Sequence, residues 1–275
     1  MKIYWIATFS GALWLGSLST TFAQRSAIWQ EKPGTWVLNA GVGVTRYAGD
    51  LNEGDFLAKP RLGAALNVAF AYRMSNRLVL RAETQLYTLR GSQQNTRLAY
   101  NNLSFKSLNP DVWAGLQVDA WPVNHRTRKA IPYGFAGIGF TYITPKATYK
   151  GETYSLAPLQ TEGVTYNRLP VIIRYGAGLP IAVTDRFKIH LEGSYTHVMS
   201  DYVDDVSTSY AVQDGRSPLA VALSDRRSEI GLPLNKAGAQ RGNSSKNDGY
   251  FILSVRFIHL ISTKAQRNYR LSMRG

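Results

Sequence analysis

The chain has 275 residues, a formal net charge of +14 and no cysteine. Without cysteine it can form neither a disulfide framework nor a lipidated N-terminal anchor, which excludes the classes of exported protein that depend on either. A chain of this length accommodates one large domain, and barrels and sandwiches of that size are ordinary.

The N-terminal segment has the order of features found in secretory signal peptides. Lys2 precedes an apolar stretch over residues 3–18, and small residues lead to Thr21, Phe22 and Ala23. This order predicts a signal peptide over residues 1–23, cleaved after Ala23. An exported protein rarely meets nucleic acid, so the excess of Lys and Arg points to anionic lipid head groups and lipopolysaccharide as partners, with no nucleic acid.

Apolar residues alternate with small or polar ones in one segment after another, as in strands with two different faces. In the clearest segment one face carries Leu62, Ala64, Leu66, Val68, Phe70 and Tyr72, and the other carries Gly63, Ala65, Asn67, Ala69, Ala71 and Arg73. Eight such segments are predicted, near residues 36–47, 62–73, 78–86, 111–121, 132–142, 169–181, 187–198 and 250–262. No later segment is apolar over the 18 or more residues of a spanning helix, so we expect any membrane crossing to be by strands.

The connections between these segments alternate in length. Short turns are predicted at 75–76, 122–130 and 184–186, and long polar stretches at 48–60, 92–104, 147–167 and 200–247. Outer-membrane barrels have short periplasmic turns, longer outer loops and an even strand count. The pattern predicts an all-β fold, an eight-stranded antiparallel transmembrane up-and-down β-barrel over residues 24–262 with both ends in the periplasm.

A soluble sandwich or lipocalin-like barrel would alternate as well, so the distribution of charge decides between the two classes. The face opposite the apolar stripe carries many glycines together with charges of both signs, which suits a narrow lumen better than a solvent surface. Aromatic residues near strand ends would fit interfacial girdles: Trp36, Tyr72, Trp121, Tyr133, Tyr142 and Phe251. We therefore predict a protein of the cell outer membrane.

Seven charged residues share the inward face and are predicted to form a lumen network: Arg81, Glu83, Asp119, Arg174, Lys188, Glu192 and Arg256. The lumen of an eight-stranded barrel is about wide enough to be filled by side chains. The cations should neutralise the acids, because an unpaired buried charge is costly. We expect a plugged lumen, with a narrow pore or a carrier for small hydrophobic molecules as the alternative.

A lipid A-modifying enzyme is a second alternative, because some small outer-membrane barrels act on lipid A with a His and a Ser on one strand. The candidate base is His197, which by parity shares the lipid face with Tyr195. Met199 stands where the resemblance to such enzymes requires Ser, and Ser200 points the other way. A nucleophile and its base must lie within hydrogen-bond reach. The sequence therefore assigns no catalytic residue.

Acidic residues gather in the last long stretch, at Asp201, Asp204 and Asp205. Clustered carboxylates suit hard cations such as calcium, but this spacing matches no known calcium loop. We expect a solvated loop that faces lipopolysaccharide. The sequence predicts no metal site and no cofactor.

Four runs of sequence carry a family resemblance: YAGDLN (47–52), NLSF (102–105), YVDDVSTSY (202–210) and AQRGNSSKNDGYF (239–251). They resemble conserved stretches of a Bacteroidetes outer-membrane barrel family of unknown function that is similar to PorG, a barrel component of the type IX secretion system. The resemblance spans nearly all of the mature chain and departs from the family at Gly249, where Trp is usual, and after Ile261. It implies a non-enzymatic barrel that anchors or stabilises envelope machinery, with type IX secretion or gliding as that machinery.

The sequence ends in a basic tail over residues 263–275. It carries Lys264, Arg267, Arg270 and Arg274 with no acid among them, so we expect it to seek an anionic surface in the periplasm. Lipid head groups of the inner leaflet are one candidate. The resemblance implies another, a periplasmic secretion-ring or lipoprotein subunit.

Overall fold

A computed structural model of the protein describes residues 31–52, 61–94, 96–124, 130–183 and 187–263, together with residues 268 and 272. This part of the chain forms ten strands: β1 (Trp36–Ala48), β2 (Leu62–Arg73), β3 (Leu78–Ser92), β4 (Ser104–Asp119), β5 (Tyr133–Thr141), β6 (Lys146–Tyr149), β7 (Glu152–Ser155), β8 (Val171–Val183), β9 (Phe187–Val198) and β10 (Gly249–Ser262). One α-helix, α1, spans Pro218–Ser224. None of the helices in these ranges is both long and apolar enough to cross a membrane.

Eight of the strands close into a ring. Their order is β3-β2-β1-β10-β9-β8-β5-β4, and an additional pairing of β3 with β4 completes the circle. All these pairings are antiparallel. Closure removes the unpaired edges that an open sheet would expose. The predicted eight-stranded antiparallel up-and-down barrel is confirmed.

The two ends of the barrel differ. At one end the link between β2 and β3 is a tight turn, in which the amides of Met74 and Ser75 both donate to the Leu78 carbonyl, at 2.9 and 3.1 Å. The first residue of β1 pairs with the last of β10 at this short-turn end. The long connections gather at the opposite, long-loop end. The predicted signal peptide and basic tail lie outside the described residues, apart from Thr263, Asn268 and Ser272.

The outer surface of the ring is apolar. Ile138 is 67% exposed and Leu66 is 56% exposed. A water-soluble protein would bury most of these apolar side chains in its core. Other exposed members of the belt lie on all eight strands: Val42, Phe70, Leu80, Val112, Leu116, Phe140, Tyr175, Leu179, Leu191, Leu253 and Phe257. Because contiguous apolar surface of this extent is unfavourable in water, the belt requires an apolar surrounding.

Two predicted features were wrong in detail. Strand β4 was predicted to begin near Asp111 but begins at Ser104. Inward and outward residues alternate over 104–110 as well, and these residues pair with β3 as far as Ser92. The stretch over 147–167 is not plain loop, because it contains β7 and the end of β6, which form a hairpin that pairs with β4 through Lys146 and Lys106. In both places regular structure extends further toward the long-loop end than the hydrophobic pattern shows.

The interior has an apolar plug at the long-loop end. Inward residues of the strands pack there against residues contributed by the loops, including Leu51, Leu103, Leu156, Val203 and Leu223. A smaller apolar group of Val37, Ala71, Val79 and Ile258 lies at the short-turn end. The connections therefore have a core of their own, and the charged part of the lumen lies between the two apolar groups.

Inward glycines make room for the large side chains that fill the lumen. A Cβ on Gly137 would lie 2.7 Å from Cε3 of Trp113, and a Cβ on Gly176 would lie 2.7 Å from Cζ of Phe135. Trp113 and Phe135 stack with their ring centroids 5.7 Å apart. The close approach of these rings to the neighbouring strands thus requires glycine.

Candidate functional site: the charged lumen and its loop cap

The centre of the lumen holds a balanced set of buried charges. Three guanidinium groups face three carboxylates, each with a side chain no more than 4% exposed: Arg81, Arg174, Arg256, Glu83, Asp111 and Glu192. We call these six residues the central cluster. Its formal charges sum to zero, so each buried charge can be paired with one of opposite sign, as a medium of low dielectric constant requires.

Four members of the central cluster form a closed circuit. Nη1 of Arg81 lies 2.8 Å from Oε2 of Glu192, and Nε of Arg256 lies 2.6 Å from Oε1 of the same carboxylate. Arg256 also donates to both oxygens of Glu83 at 2.9 Å, and Arg81 pairs with Glu83 as well. Each acid therefore bridges two arginines across the lumen, joining β3, β9 and β10.

The third arginine extends the cluster toward the loops. Nη2 of Arg174 lies 2.6 Å from Oδ2 of Asp111 and donates to the Tyr250 hydroxyl at 2.9 Å. Tyr250 in turn donates to Asp111 at 2.9 Å, and Nη1 of Arg174 reaches Glu83 at 3.9 Å. This contact links Arg174 to the circuit.

Aromatic rings complete the packing of the central cluster. Cζ of Arg81 lies 5.1 Å from the ring centroid of Trp113 and 5.0 Å from that of Phe135. Such contacts stabilise desolvated cations. Tyr133 donates to Glu192 at 2.9 Å and is 4% exposed. Its predicted place in an outer aromatic girdle was therefore wrong, because its parity turns it into the lumen.

Two of the seven residues predicted for a lumen network lie elsewhere. Asp119 pairs with Nη1 of Arg73 at 2.8 Å, and Lys188 pairs with Glu31. Arg73 also donates to Glu31, at 2.8 and 2.6 Å. These residues form a second cluster at the short-turn end. The structure brings together the other five, Arg81, Glu83, Arg174, Glu192 and Arg256, with Asp111 as a sixth member that the sequence analysis did not single out.

At the long-loop end the long connections, including the stretches around Leu51, Glu162 and 200–248, fold over the lumen; we call this layer the loop cap. It is held by buried carboxyls. The Tyr47 hydroxyl lies 2.6 Å from Oδ2 of Asp204 and 2.6 Å from Oδ1 of Asp248. A hydroxyl has one proton and can donate to only one of the two acids, so the second contact requires a protonated carboxyl. Burial raises the pKa of Asp204 and of Asp248 well above the ordinary value, and repulsion from Asp204 adds to the shift of Asp248.

The remaining contacts of Asp204 and Asp248 tie the connections to the barrel. Oδ2 of Asp204 accepts from the Leu51 amide at 3.2 Å, and Oδ2 of Asp248 accepts from the Val203 amide at 2.9 Å. The 200–247 stretch was predicted to be a solvated loop, and this was wrong for the three acids singled out in it, Asp201, Asp204 and Asp205. Asp204 and Asp205 are each 1% exposed and Asp201 is 7% exposed, because the loops bury one another.

A buried arginine organises the rest of the cap. Nη1 of Arg241 donates to Oε1 of Glu162 at 3.0 Å and also to the Asp205 carbonyl, while Nε donates to the Ser224 carbonyl at 3.1 Å. Glu162 accepts from the amides of Ser207 and Thr208 at 2.8 and 2.9 Å. Arg241 therefore joins the end of α1 to the stretches around Glu162 and Asp205.

The residues weighed for catalysis do not assemble into a reactive group. His197 lies in β9 on the outward face, opposite Gly249, and Met199 is 44% exposed. The Ser200 hydroxyl accepts from the Tyr202 amide at 3.2 Å, as it would in a turn. No group of three or more His, Cys, Asp or Glu suited to a metal ion occurs within the described ranges.

The closed ring, the apolar belt and the filled, charged lumen define the molecule as a transmembrane β-barrel. Spanning structures must satisfy every backbone polar group internally, and a closed barrel does so. Barrels with such a belt and a polar interior are the architecture of bacterial outer membranes. The protein is therefore an outer-membrane barrel.

Comparison with known proteins gives the following similarities. No protein-family model matches the chain, and no curated protein sequence matches it. Neisserial surface protein A is similar with 12% identity, 82% of this chain and 96% of that chain covered, and a TM-score of 0.43. OprG from Pseudomonas aeruginosa is similar with 13% identity, 86% and 100% covered, and a TM-score of 0.44. Ail of Yersinia pestis has 14% identity, 82% and 99% covered, and a TM-score of 0.37.

Proposed function

We propose that this protein is a non-enzymatic outer-membrane barrel that anchors or stabilises envelope machinery, and that the machinery belongs to type IX secretion or gliding. The observation that carries the first part is the filled lumen. The central cluster, the apolar plug and the loop cap occupy the inside from one apolar group to the other. A barrel built in this way offers its outer surface and its two ends, rather than its lumen, for function.

The proposal of type IX secretion or gliding rests on the resemblance of the four sequence runs to the PorG-like family. Three of them contribute to the cap: Tyr47 and Leu51 come from the first, Asp204 and Asp205 from the third, and Arg241 and Asp248 from the fourth. Such a set of mutual contacts explains why the runs would occur together. The contacts support the view that chains sharing these runs build the same loop cap. The identity of the partner is a separate part of the proposal.

The basic tail is the proposed contact with that partner. Lys264, Arg267, Arg270 and Arg274 follow β10, whose last residues lie at the short-turn end, which outer-membrane barrels turn to the periplasm. Clustered cations without acids bind an anionic surface. The proposed surface is that of a periplasmic ring or lipoprotein subunit, and inner-leaflet head groups are the competing one.

The test removes the tail and leaves the barrel intact. Because Thr263 is 2% exposed, the deletion should start after it and remove residues 264–275. We expect a folded barrel that still shifts in mobility on heating, together with impaired protein export or surface motility. A full-length variant with Gln in place of the four cations serves as the matched control, since it keeps the length of the tail and removes its charge.

The two possible sources of anionic charge give different results in this test. Loss of export in both variants, with loss of the same co-purifying chains, supports docking on a protein. Normal secretion and unchanged co-purifying partners in the deletion strain would show that the docking proposal is wrong and that the tail contacts lipid or nothing.

A further inference from the structure

Three cations lie side by side on the outward face at the long-loop end. Arg90 of β3 is the direct partner of Lys106 of β4 in the strand register. Lys106 is in turn the partner of Lys146 of β6. All three side chains are exposed. We call these residues the cation row.

The cation row follows directly on the apolar belt. On β4 the outward residues on the membrane side of the row include Val112 and Leu108, which are 55% and 52% exposed, and Lys106 is the next outward position beyond Leu108. Tyr142, which is exposed and contacts the guanidinium of Arg168 at 4.6 Å from the ring centroid, lies two outward positions before Lys146. Aromatic residues of this kind mark the membrane interface. The row therefore lies at the level of lipid head groups.

Like charges placed directly opposite each other on one face of a sheet destabilise the pairing. Within the described ranges, Arg90, Lys106 and Lys146 form no ion pair. A fourth cation lies beside them: Arg61 donates to the carbonyls of Ser92 and Gln94 at 2.7 and 2.9 Å, so its charge stays at the outer end of β3. The repulsion is relieved when an anion from outside the chain lies over the row.

We propose that the cation row binds the phosphate groups of lipopolysaccharide in the outer leaflet. The height of the row on the barrel selects a lipid head group, and the charge selects a phosphate. Guanidinium groups bind phosphate oxygens with paired hydrogen bonds, and ammonium groups bind them as point charges. The row supplies the positive charge that a divalent ion would otherwise provide, so the association should not need one. This inference is independent of the envelope machinery proposed above.

The experiment measures binding of phosphorylated lipid A to the full-length barrel in detergent, at low salt and with EDTA present. We expect each of Arg90→Gln, Lys106→Gln and Lys146→Gln to weaken the apparent Kd about fivefold, because each cation near an anionic surface contributes roughly that factor. The double variant Lys106→Gln/Lys146→Gln is compared with Lys236→Gln/Lys246→Gln, which removes two exposed lysines of the last long loop. Heat-modifiability of each variant verifies that the barrel is folded.

Four results would overturn the proposal. One is equal binding of lipid A after removal of its phosphates, and another is equal loss of affinity in the Lys236/Lys246 control. The third is loss of binding in EDTA, which would assign the contact to a bridging divalent ion. A rise in the thermal midpoint produced by inorganic phosphate alone, as large as that produced by lipid A, would likewise replace the lipid site with a site for the free ion.

Discussion

At the scale of single residues, the lumen charges depend on one another. Glu192 contacts Arg81 and Arg256, so removing its charge leaves two guanidinium groups facing one fewer carboxylate. Breaking a buried pair in this way costs about 3–5 kcal/mol, whereas replacing a whole pair by apolar residues of similar volume is often neutral. The cluster is thus sensitive to imbalance of charge more than to the number of charges.

We predict that Glu192→Gln lowers the free energy of unfolding by about 3–5 kcal/mol. We also predict that the double variant Arg256→Met/Glu192→Leu loses less free energy of unfolding than the sum of the losses in the single variants Arg256→Met and Glu192→Leu. The double variant leaves two arginines against two acids. Unfolding in urea from lipid vesicles measures the difference, with the exposed Glu152→Gln as control. Strictly additive losses would mean that the charges do not interact.

The acids of the cap predict a dependence on pH. Burial, and repulsion from Asp50 and Glu162, raise the pKa of Asp201 to about 7, and burial raises the pKa of Asp205 to about 6 although Arg241 opposes it. An acid whose pKa is higher in the folded state binds protons more tightly there. Its contribution to stability is therefore greatest at and below its ordinary pKa and declines as the pH rises through the folded value.

We expect the outer loops to be cut by protease more slowly at about pH 5 than at about pH 8, since the raised pKa values lie between these limits. Asp201→Asn should slow cleavage at the higher pH and reduce the difference, without abolishing it, because Asp204, Asp205 and Asp248 also titrate from raised pKa values. The protease itself is calibrated at each pH on an unfolded substrate. Faster cleavage at the lower pH would contradict the assignment.

At the scale of elements, the loops of the cap are joined to one another by buried polar contacts and pack on the strands through the apolar plug. Arg241 is 4% exposed and joins Glu162, Asp205 and Ser224. The strands of the ring, by contrast, are joined by continuous backbone ladders. A change at Arg241 should therefore open the loops and leave the ring.

We predict that Arg241→Met makes the 200–247 stretch sensitive to protease while the barrel still shifts in mobility on heating. The buried Glu162 would lose its ion-pair partner, which costs about 3–5 kcal/mol in a buried site and exceeds the loss from a surface pair. Lys246→Met, at an exposed position of the same stretch, is the matched control. Unchanged protection in the Arg241 variant would show that other contacts hold the cap.

At the scale of the whole molecule, the lengths of the connections predict the orientation of the barrel. The chain has no cysteine, so single introduced cysteines report position without background. In intact cells a label should react at Ser244→Cys and not at Asn76→Cys, both of which are exposed positions. Ser207, in the same long stretch as Ser244, is 3% exposed and unsuitable. Reaction at position 76 alone would show that the orientation is the reverse of the one predicted.

The sequence by itself determined the number of strands in the ring and, for most of their residues, the face on which each residue lies. Alternation has a period of two, so parity alone assigns Leu66 to the membrane and Arg81 to the lumen. Parity applied consistently would also have turned Tyr133 inward and placed Asp111 on the same inward face as the other lumen acids. The alternation pattern indicated both placements. Tyr133 was instead assigned to the aromatic girdle because it lies near a strand end, and Asp111 was passed over because it lies at the predicted start of its strand.

Only the tertiary structure decided which inward charges meet. Parity fixes the face, and the register around the closed ring fixes the height, so Asp119 and Lys188 share the face of Glu192 yet lie at the short-turn end with Arg73 and Glu31. The contacts of the loop cap also could not be predicted from the sequence. Its contacts join residues 157 and 201 positions apart, such as Tyr47 with Asp204 and with Asp248, and no local periodicity reports on contacts between loops.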